Sequence, residues 1–269
     1  MTPGELVRRA GIDRGEAETL LGHVLKVDRA WLFAHADEWV CEAAALKFQH
    51  LVEARRKGEP LAYLLRYRDF WTLRLSVNQH VMIPRRETEH LVEWAIECID
   101  AGATRILDLG TGSGAIALAC KAERPATEVW GIDSSKDALA CAEANGRSLG
   151  LDVRWVVSNW FGALPTAEWD LLISNPPYIA ANDVHLTQGD LRAEPSSALV
   201  GGATGLEAIE RITEEAPPFL TMGGWLLFEH GYDQSLTVQA ALRARGFANI
   251  ATRSDWSGLA RLTGGQWWN

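Results

Sequence analysis

The feature that most constrains the fold is an alternation of apolar strand patterns with helical patterns, which begins at residue 104. Strand patterns lie at 105–109, 128–132, 153–157, 170–174, 224–229, 248–253 and 259–264. Helical patterns lie between the early strands, at 114–123, 135–149 and 205–216. Strands that alternate with helices along a chain form a mostly parallel sheet with helices on both faces. We therefore predict an α/β domain with a seven-stranded, mostly parallel sheet, whose last two strands form an antiparallel hairpin at its edge.

The first 60 residues carry helical patterns only. Thr2-Pro3 is typical of a helix start, because threonine caps a helix and proline suits its first turn. Residues 16–26 and 43–57 place apolar side chains at helical spacing, and Asp28 is placed to cap a short helix between them. Short amphipathic helices bury their apolar faces by packing on one another, so we predict a small helical bundle. We expect a helical domain at 1–69, a β-hairpin linker at 70–89 and an α/β domain at 90–269.

The linker carries strand patterns at 70–77 and 81–83, followed by a helix start. Thr88 is placed to cap the helix that begins at Glu89. Arg85 and Glu89 suit the electrostatics of a helix start. A role for these two residues in lining a cleft is the weaker alternative.

The loop after the first strand of the α/β domain indicates a nucleoside-containing cofactor. It reads Gly110-Thr111-Gly112-Ser113-Gly114 and opens directly into a helix. Such glycines let the backbone turn sharply and approach a ligand closely, near the amides of a helix N-terminus. The next strand ends in Asp133, and an acidic residue about 20 residues after the loop typically binds the two hydroxyls of a ribose.

Two cofactors fit this loop formally. NAD would bring a pyrophosphate, which the carboxylate of Asp108 just before the loop would repel. A sulfonium with an amino-acid tail tolerates a carboxylate there, so the pattern favours S-adenosyl-L-methionine. After the third strand, Asn159 is placed to hydrogen-bond the adenine edge, and Trp160 to pack on adenine or on the methionyl end. Core filling is a rival role for Trp160, since the chain has twelve tryptophans.

Asn175-Pro176-Pro177-Tyr178 ends the strand pattern at 170–174 and indicates a site for a planar –NH2 group. The two prolines stop the strand and stiffen the segment. Asn175 Oδ1 and the Pro176 carbonyl would accept the two hydrogens, and Tyr178 would pack against the flat face of the group. Asn-Pro-Pro alone is also a common turn. With the glycine loop upstream, the combination favours methyl transfer to that nitrogen.

Composition narrows the range of partners. The formal net charge of −9 argues against a general affinity for nucleic acid and fits a small-molecule or protein substrate. The four cysteines form no C-x-x-C pair and the seven histidines show no ligand spacing, so we expect no metal site. Apolar runs are too short to span a membrane and the first residues lack a signal-peptide core. We expect a cytoplasmic monomer that binds neither membrane nor nucleic acid.

The motifs together resemble those of the HemK/PrmC family, the release-factor glutamine N5-methyltransferases, over nearly the whole chain. The matching stretches are G-E-P-L-A-Y at 58–63, D-F-W at 69–71, I-P-R-R-E-T-E at 83–89, D-L-G-T-G-S-G-A-I-A-L-A at 108–119, N-W-F at 159–161, S-N-P-P-Y-I at 174–179, Q-G-D-L-R-A-E-P at 188–195 and L-L-F-E-H-G at 226–231. This combination is far more specific than N-P-P-Y alone, which DNA adenine methyltransferases also use.

The resemblance implies a Rossmann-like methyltransferase domain that uses S-adenosyl-L-methionine. It implies methylation of the side-chain amide of the glutamine in the GGQ motif of bacterial class 1 release factors. By the same resemblance, the glycine loop, Asp133, Trp160 and Asn175 contact the cofactor. Asn175, Pro176, Pro177 and Tyr178 receive the substrate glutamine, with Asn175, Pro176 and Tyr178 in catalytic roles. The helical domain would supply a second contact surface for the protein substrate.

The chain departs from the family pattern at Arg66, where glycine is usual, at Arg86, where proline is usual, and at Asn159, where an acid is common. Two other enzymes stay open: a glutamine methyltransferase acting on a ribosomal protein, and an adenine-N6 nucleic-acid methyltransferase, which would need a flipped base and a basic groove. A cofactor-binding protein without catalysis is a third reading. Gly264-Gly265-Gln266 spells the substrate tripeptide itself; we interpret it as coincidence, with self-methylation as the alternative.

Overall fold

The computed structural model describes residues 1–164 and 168–268. Contacts within it separate two compact units. One unit is Met1–Tyr67 with Gln188–Ala193, and the other is Arg68–Thr187 with Glu194–Asn269. The helical patterns indicated the first unit up to about residue 69, but nothing in the sequence analysis placed the short later segment in it.

The helical unit is built around one apolar core. Its helices are α1 (Pro3–Arg9), α2 (Arg14–Leu25), α3 (Arg29–Ala34), α4 (Glu42–Arg56) and α5 (Leu61–Leu65). The predicted helix starts are confirmed: Thr2 and Glu5 form a reciprocal capping box, and Asp28 Oδ1 accepts from Trp31 N at 2.7 Å. Burial of apolar side chains from several helices stabilises the bundle, with the most enclosed being Leu6, Ala17, Leu20, Leu21, Phe48 and Val52.

The Gln188–Ala193 segment is bound to this unit through charged contacts. The Arg55 guanidinium bridges Glu16 at 2.6 Å and Asp190 at 2.7 Å. Arg192 lies against Gly58, so closely that a Cβ at Gly58 would overlap its guanidinium. Gly58 also has a φ of +94°, which only glycine adopts readily. The G-E-P and Q-G-D-L-R motifs are therefore structural neighbours, although they are far apart in the chain.

The predicted linker hairpin exists but lies earlier in the chain than expected. Its strands are β1 (Tyr67–Phe70) and β2 (Leu73–Ser76), which form a two-stranded sheet. Trp71 makes the turn with a φ of +55°. The expected strand at 81–83 was wrong, because the Ile83 amide donates to a carboxylate oxygen of Glu194 at 3.0 Å rather than to a neighbouring strand.

The second unit contains a seven-stranded sheet, as predicted. Its strands are β3 (Arg105–Leu109), β4 (Glu128–Asp133), β5 (Arg154–Val157), β6 (Trp169–Ser174), β7 (Leu220–Glu229), β8 (Ala248–Ser254) and β9 (Ala260–Gln266). Their spatial order is β5-β4-β3-β6-β7-β9-β8, with β9 antiparallel to both neighbours and the rest parallel. This confirms the Rossmann-like fold class and the edge hairpin. The chain continues from β3 to β4 on one side and returns to β6 on the other, which makes β3 and β6 the switch point where such folds bind ligands.

Two apolar clusters cover the faces of this sheet. The helices that contribute to them are α6 (Glu89–Asp100), α7 (Ala115–Glu123), α8 (Lys136–Leu149), α9 (Glu207–Glu215) and α10 (Ser235–Arg245). The sequence analysis did not identify α10. Val238 and Leu242 are one helical turn apart and are the only buried residues of α10, so its apolar pattern is short. Among the described residues, no helix is both long enough and apolar enough to cross a membrane.

The internal G-G-Q tripeptide is part of the sheet. Gly264 pairs with Leu227 of β7, and Gln266 ends β9. The Gln266 amide donates from Nε2 to the Gly223 carbonyl at 3.2 Å and accepts from Asn249 at 2.7 Å. A strand position with an engaged side-chain amide supports the interpretation of this tripeptide as a coincidence.

Candidate active site

A cleft opens at the carboxyl ends of β3, β4 and β6, at the switch point of the sheet. Its volume is about 990 Å³, including space open to solvent. The predicted site residues that line it are Gly110, Thr111, Gly112, Ser113, Asp133, Trp160, Asn175 and Pro177. Gly114, Pro176 and Tyr178 lie outside its lining. The structure thus brings the glycine loop, the acid and the asparagine to one cavity.

The glycines of the loop have different tasks. A Cβ at Gly112 would meet no atom within 4 Å, so this part of the backbone is open to a ligand. A Cβ at Gly114 would lie 2.9 Å from the Trp155 ring, and Gly114 has a φ of +83°. Gly114 therefore serves the packing of α7 on the sheet rather than lining the cleft.

Asp108 is hydrogen-bonded to the glycine loop and to the helix that follows it. Its Oδ2 accepts from the Thr111 hydroxyl at 2.6 Å and from the Ala117 amide at 3.3 Å. Its Oδ1 has no hydrogen-bond partner within the described chain, and burial raises the pKa of this carboxyl to about 7. Asp108 is absent from the cleft lining. This acid, which the sequence analysis used to disfavour a pyrophosphate, therefore also supports the loop and the start of α7.

Asp133 lies at the tip of β4, in the cleft lining. Its oxygens accept from Gly112 N at 3.0 Å and Ser135 N at 2.9 Å. Burial raises the pKa of the carboxyl, and these backbone bonds act in the opposite direction. A carboxylate offers about four acceptor sites, so two backbone bonds leave capacity for hydroxyl donors from a ligand.

Trp160 and Asn159 form the wall that follows β5. The Trp160 backbone has a φ of +51°, and its ring lies over Gly110, where a Cβ would be 3.5 Å away. Backbone conformations of this kind in residues other than glycine are costly and concentrate at functional sites. Asn159 Oδ1 accepts from Arg211 at 3.2 Å, which fixes one end of its amide.

Asn175 follows the last residue of β6, and its side chain is oriented by Thr88. Asn175 Nδ2 donates to Thr88 Oγ1 at 3.1 Å. Within the described chain, Asn175 Oδ1 receives no hydrogen bond, so its acceptor capacity is open to the cleft. The expected capping role of Thr88 was wrong: the side chain makes no capping bond to α6. The hydroxyl serves Asn175 instead, and Thr88 itself lines the cleft.

Near this pair lies Glu229, which the sequence analysis quoted within the L-L-F-E-H-G motif without assigning it a role. Glu229 ends β7 and is 1% exposed. Its Oε1 accepts from the Tyr178 hydroxyl at 3.2 Å, while its Oε2 has no partner within the described chain. Burial raises the pKa of Glu229 to about 7, and the Thr88 and Tyr178 hydroxyls oppose this rise. Burial and the Glu229 carboxylate raise the pKa of Tyr178.

A second buried carboxylate, that of Glu194, connects the cleft-lining segment before α6 with the cleft-lining segment after Glu194 itself. Glu194 pairs with Arg85 and accepts from the Ile83 amide. Met82 and Pro84 flank that amide and line the cleft, as do Ser197 and Ala198 just after Glu194. Arg85 thus acts on the cleft indirectly, through Glu194. Both sides of the pair occur in motifs that had been noted, I-P-R-R-E-T-E and Q-G-D-L-R-A-E-P, but their contact is not visible in the sequence.

Comparison with known proteins shows the family of this chain. Residues 5–65 match the PrmC N-terminal domain and residues 89–191 match the methyltransferase small domain. A release factor glutamine methyltransferase of Xylella fastidiosa (strain Temecula1) is 49% identical over 257 residues, which cover 95% of this chain and 94% of that protein. The chain belongs to the release factor glutamine methyltransferase family.

Other relatives show the same likeness. The release factor glutamine methyltransferase of Vibrio cholerae is 43% identical to this family member, over 98% of this chain and 93% of that protein. A solved structure of a methyltransferase from Pyrococcus furiosus has a TM-score of 0.56 and 16% identity, and covers 80% of this chain and 100% of that chain. The latter likeness concerns the fold alone.

The three departures from the family pattern lie at different places in this member of the release factor glutamine methyltransferase family. Arg66 ends α5 with a φ of +62°, a conformation in which the usual glycine is unstrained. Arg86 is exposed and lies beside Glu87 and Trp256 in a shallow pocket. Asn159 replaces an acid, and its bond from Arg211 requires only an oxygen acceptor. The bond between Asn175 and Thr88 is present in this chain, which carries all three departures.

Proposed function

We propose that this protein transfers a methyl group from S-adenosyl-L-methionine to the side-chain amide nitrogen, N5, of the glutamine in the GGQ motif of class 1 peptide chain release factors. Family membership supports the reaction class. The observation that carries the proposal is the Asn175 amide, held by Thr88 with Oδ1 open to the cleft. An acceptor in this place suits a planar –NH2 group, which is the chemistry of a glutamine side chain.

The residues of the cleft fit S-adenosyl-L-methionine. Asp133 keeps acceptor capacity for two ribose hydroxyls, and the open backbone at Gly112 lets a ligand approach closely. The Trp160 ring offers an apolar surface for adenine or for the methionyl chain. We assign cofactor binding to Gly110, Thr111, Gly112, Ser113, Asp133, Trp160 and Asn175, with Gly114 supporting the turn.

The main task of the protein is to prepare a weak nucleophile. A glutamine amide nitrogen reacts poorly, because its lone pair is delocalised into the carbonyl. Asn175 Oδ1 and the Pro176 carbonyl would accept its two hydrogens, which increases electron density on nitrogen and favours loss of planarity. Tyr178 lies outside the lining of the cleft, with its hydroxyl held by Glu229, and its ring would meet the flat face of an amide bound at the edge of the cleft. Pro177 lines the cleft and limits where the amide can lie.

The bound cofactor supplies an electrophilic methyl group. Orientation of two reactants can contribute roughly 7–11 kcal/mol in favourable cases, so positioning by Asn175 accounts for much of the rate gain without a strong base. The nitrogen becomes far more acidic once it is methylated, and its proton then leaves to solvent. With a release factor as substrate, the reaction takes place in the cytoplasm. We assign the helical unit to recognition of that protein, and we expect the enzyme to act as a monomer.

The test is methyl transfer from labelled S-adenosyl-L-methionine to a purified class 1 release factor, beside a copy whose GGQ glutamine is changed to alanine. We expect label on the first and none on the second. Asn175→Ala should lower kcat by at least about 100-fold with a cofactor Kd within a few-fold of wild type. No label on either protein, with cofactor binding intact, would refute the substrate assignment. An unchanged kcat with a raised KM would refute the role of Asn175.

A further inference from the structure

Tyr178 is hydrogen-bonded at both of its oxygen atoms by the connection between β7 and α10. Its hydroxyl donates to Glu229 Oε1 at 3.2 Å, and its backbone carbonyl accepts from Gln234 Nε2 at 3.1 Å. Glu229 is the last residue of β7, and Gln234 comes directly before α10. One short connection therefore fixes two points of the aromatic residue that ends the Asn-Pro-Pro-Tyr segment.

Three hydrogen bonds fix the orientation of the Gln234 side-chain amide. Its Oε1 accepts from the Gly231 amide at 2.8 Å. Its Nε2 donates to the carbonyls of Tyr178 and Gly205, the latter at 3.3 Å. Only the NH2 end of such an amide can donate, so these partners leave one orientation. The amide therefore joins its own connection to Tyr178 and to the loop at 201–205.

Two glycines of this loop let it come close to the same part of the chain. A Cβ at Gly201 would overlap the Pro177 carbonyl oxygen. A Cβ at Gly205 would overlap the Tyr178 carbonyl oxygen. The Gly201 amide also donates to the Ile179 carbonyl at 2.9 Å. Close packing of this kind limits backbone movement in the second half of the Asn-Pro-Pro-Tyr segment.

The Asn-Pro-Pro-Tyr segment is stiff, because its two prolines have fixed φ angles. At its start, the Ser174 hydroxyl donates to the Leu109 carbonyl at 2.7 Å and ties the end of β6 to β3. At its other end, the Gln234 amide holds the Tyr178 carbonyl. A stiff segment moves as one piece, so this second anchor determines where the Pro176 carbonyl and the Tyr178 ring lie.

We propose that Gln234 is a positioning residue for methyl transfer, which fixes the end of the Asn-Pro-Pro-Tyr segment and so directs the Pro176 carbonyl and the Tyr178 ring toward the substrate amide. The inference rests on the proposed function. Gln234 is absent from the cleft lining, so it acts through Tyr178 and not by contact with the cofactor. Its replacement should therefore affect turnover far more than cofactor binding.

The test compares Gln234→Met and Gln234→Glu with wild type in the methyl-transfer assay. Methionine keeps the length and bulk of the side chain but cannot donate. Glutamate keeps an acceptor for the Gly231 amide, but an ionised carboxylate cannot donate to the Tyr178 carbonyl. We expect both variants to lower kcat about 10- to 100-fold with cofactor Kd unchanged, because a small misplacement of groups around the reacting atoms is enough for such a loss.

Gln239→Met is the matched control. Gln239 lies in α10, is half-buried like Gln234, and donates from Nε2 to the Thr252 hydroxyl at 2.9 Å rather than to the Asn-Pro-Pro-Tyr segment. Its kcat should stay within about two-fold of wild type. Wild-type kcat in the folded Gln234→Met and Gln234→Glu enzymes would overturn the proposal. So would an equal loss of kcat in Gln239→Met.

A measurement without turnover keeps the two proposals separate. The chain has four tyrosines, so tyrosine labelled with ¹³C at the carbonyl gives a simple spectrum. The Tyr178 signal is identified by its loss in Tyr178→Phe, and it reports the hydrogen bond from Gln234 directly. It should move in Gln234→Met and not in Gln239→Met.

The two outcomes of this measurement are distinct from the outcome of the substrate assay. If wild type methylates no release factor but the Tyr178 signal behaves as expected, the proposed function fails and the placement of Tyr178 by Gln234 stands. If the signal is the same in Gln234→Met as in wild type, the positioning role of Gln234 fails regardless of activity.

Discussion

Glu194→Ala gives the sharpest test of how the cleft is held together. The Glu194 carboxylate is fully buried, pairs with Arg85 and accepts from the Ile83 amide. Removal of one partner of a buried pair typically costs about 3–5 kcal/mol, because the other charge is left uncompensated. The Arg85 side chain is 31% exposed, so water can solvate it in part. We therefore expect a loss of about 2–4 kcal/mol in the free energy of unfolding.

The assay is thermal unfolding together with cofactor titration by calorimetry. For a unit of this size each kcal/mol lowers Tm by roughly 2–4 °C, so Tm should fall by roughly 4–16 °C. Cofactor affinity should fall as well, since Met82, Pro84, Ser197 and Ala198 of the cleft lining flank the two ends of the contact.

Glu143→Ala is the matched control for this experiment. Glu143 pairs with Arg147, but the two side chains are 60% and 73% exposed, and exposed pairs contribute little. Its Tm should stay close to that of wild type. A Tm for Glu194→Ala that falls no further than that of Glu143→Ala would refute the reasoning. A large fall in Tm with unchanged cofactor affinity would refute only the link to the cleft.

Three further outcomes follow from the structure. Burial raises the pKa of Glu229 from its ordinary value of 4.5 to about 7, so the folded protein keeps this proton to a higher pH than the unfolded chain does. As pH rises from 4 to 8, the free energy of unfolding of wild type should therefore fall by about 3 kcal/mol relative to that of Glu229→Gln, measured by urea unfolding at each pH. A difference in unfolding free energy that does not change with pH would contradict this. Gly131→Ala would place a Cβ 2.4 Å from the Trp155 ring and should lower the free energy of unfolding by about 1–3 kcal/mol in the same assay. An unchanged free energy of unfolding would show that the ring can move aside. Asp133→Ala should raise the cofactor Kd about 10- to 100-fold by calorimetry, and an unchanged Kd would exclude a ribose contact.

The sheet was predictable because its strands are buried and therefore occur as short apolar runs. Asp133 and Asn175 were predictable as neighbours for the same reason, since the carboxyl ends of parallel strands lie at one edge. Thr88 was misjudged because a threonine before a helix satisfies the local capping rule, while its actual partner lies 87 residues away. Glu229 was quoted only as part of the L-L-F-E-H-G motif, and no role was assigned to it because one acid at the end of an apolar run is ordinary. Long-range polar pairing leaves no periodic pattern in a sequence.

The segment 188–193 has a consequence for how this family can be recombined. The helical unit is encoded in two pieces, and the second piece is translated about 120 residues after the first. Arg55 cannot meet Asp190 until that piece has left the ribosome, so the bundle completes its ion pairs only late in synthesis. A chimaera of two such chains joined at residue 68 would combine the helices of one parent with residues 188–193 of the other. Exchange of the complete helical unit between two such chains would therefore require crossovers on both sides of the interruption.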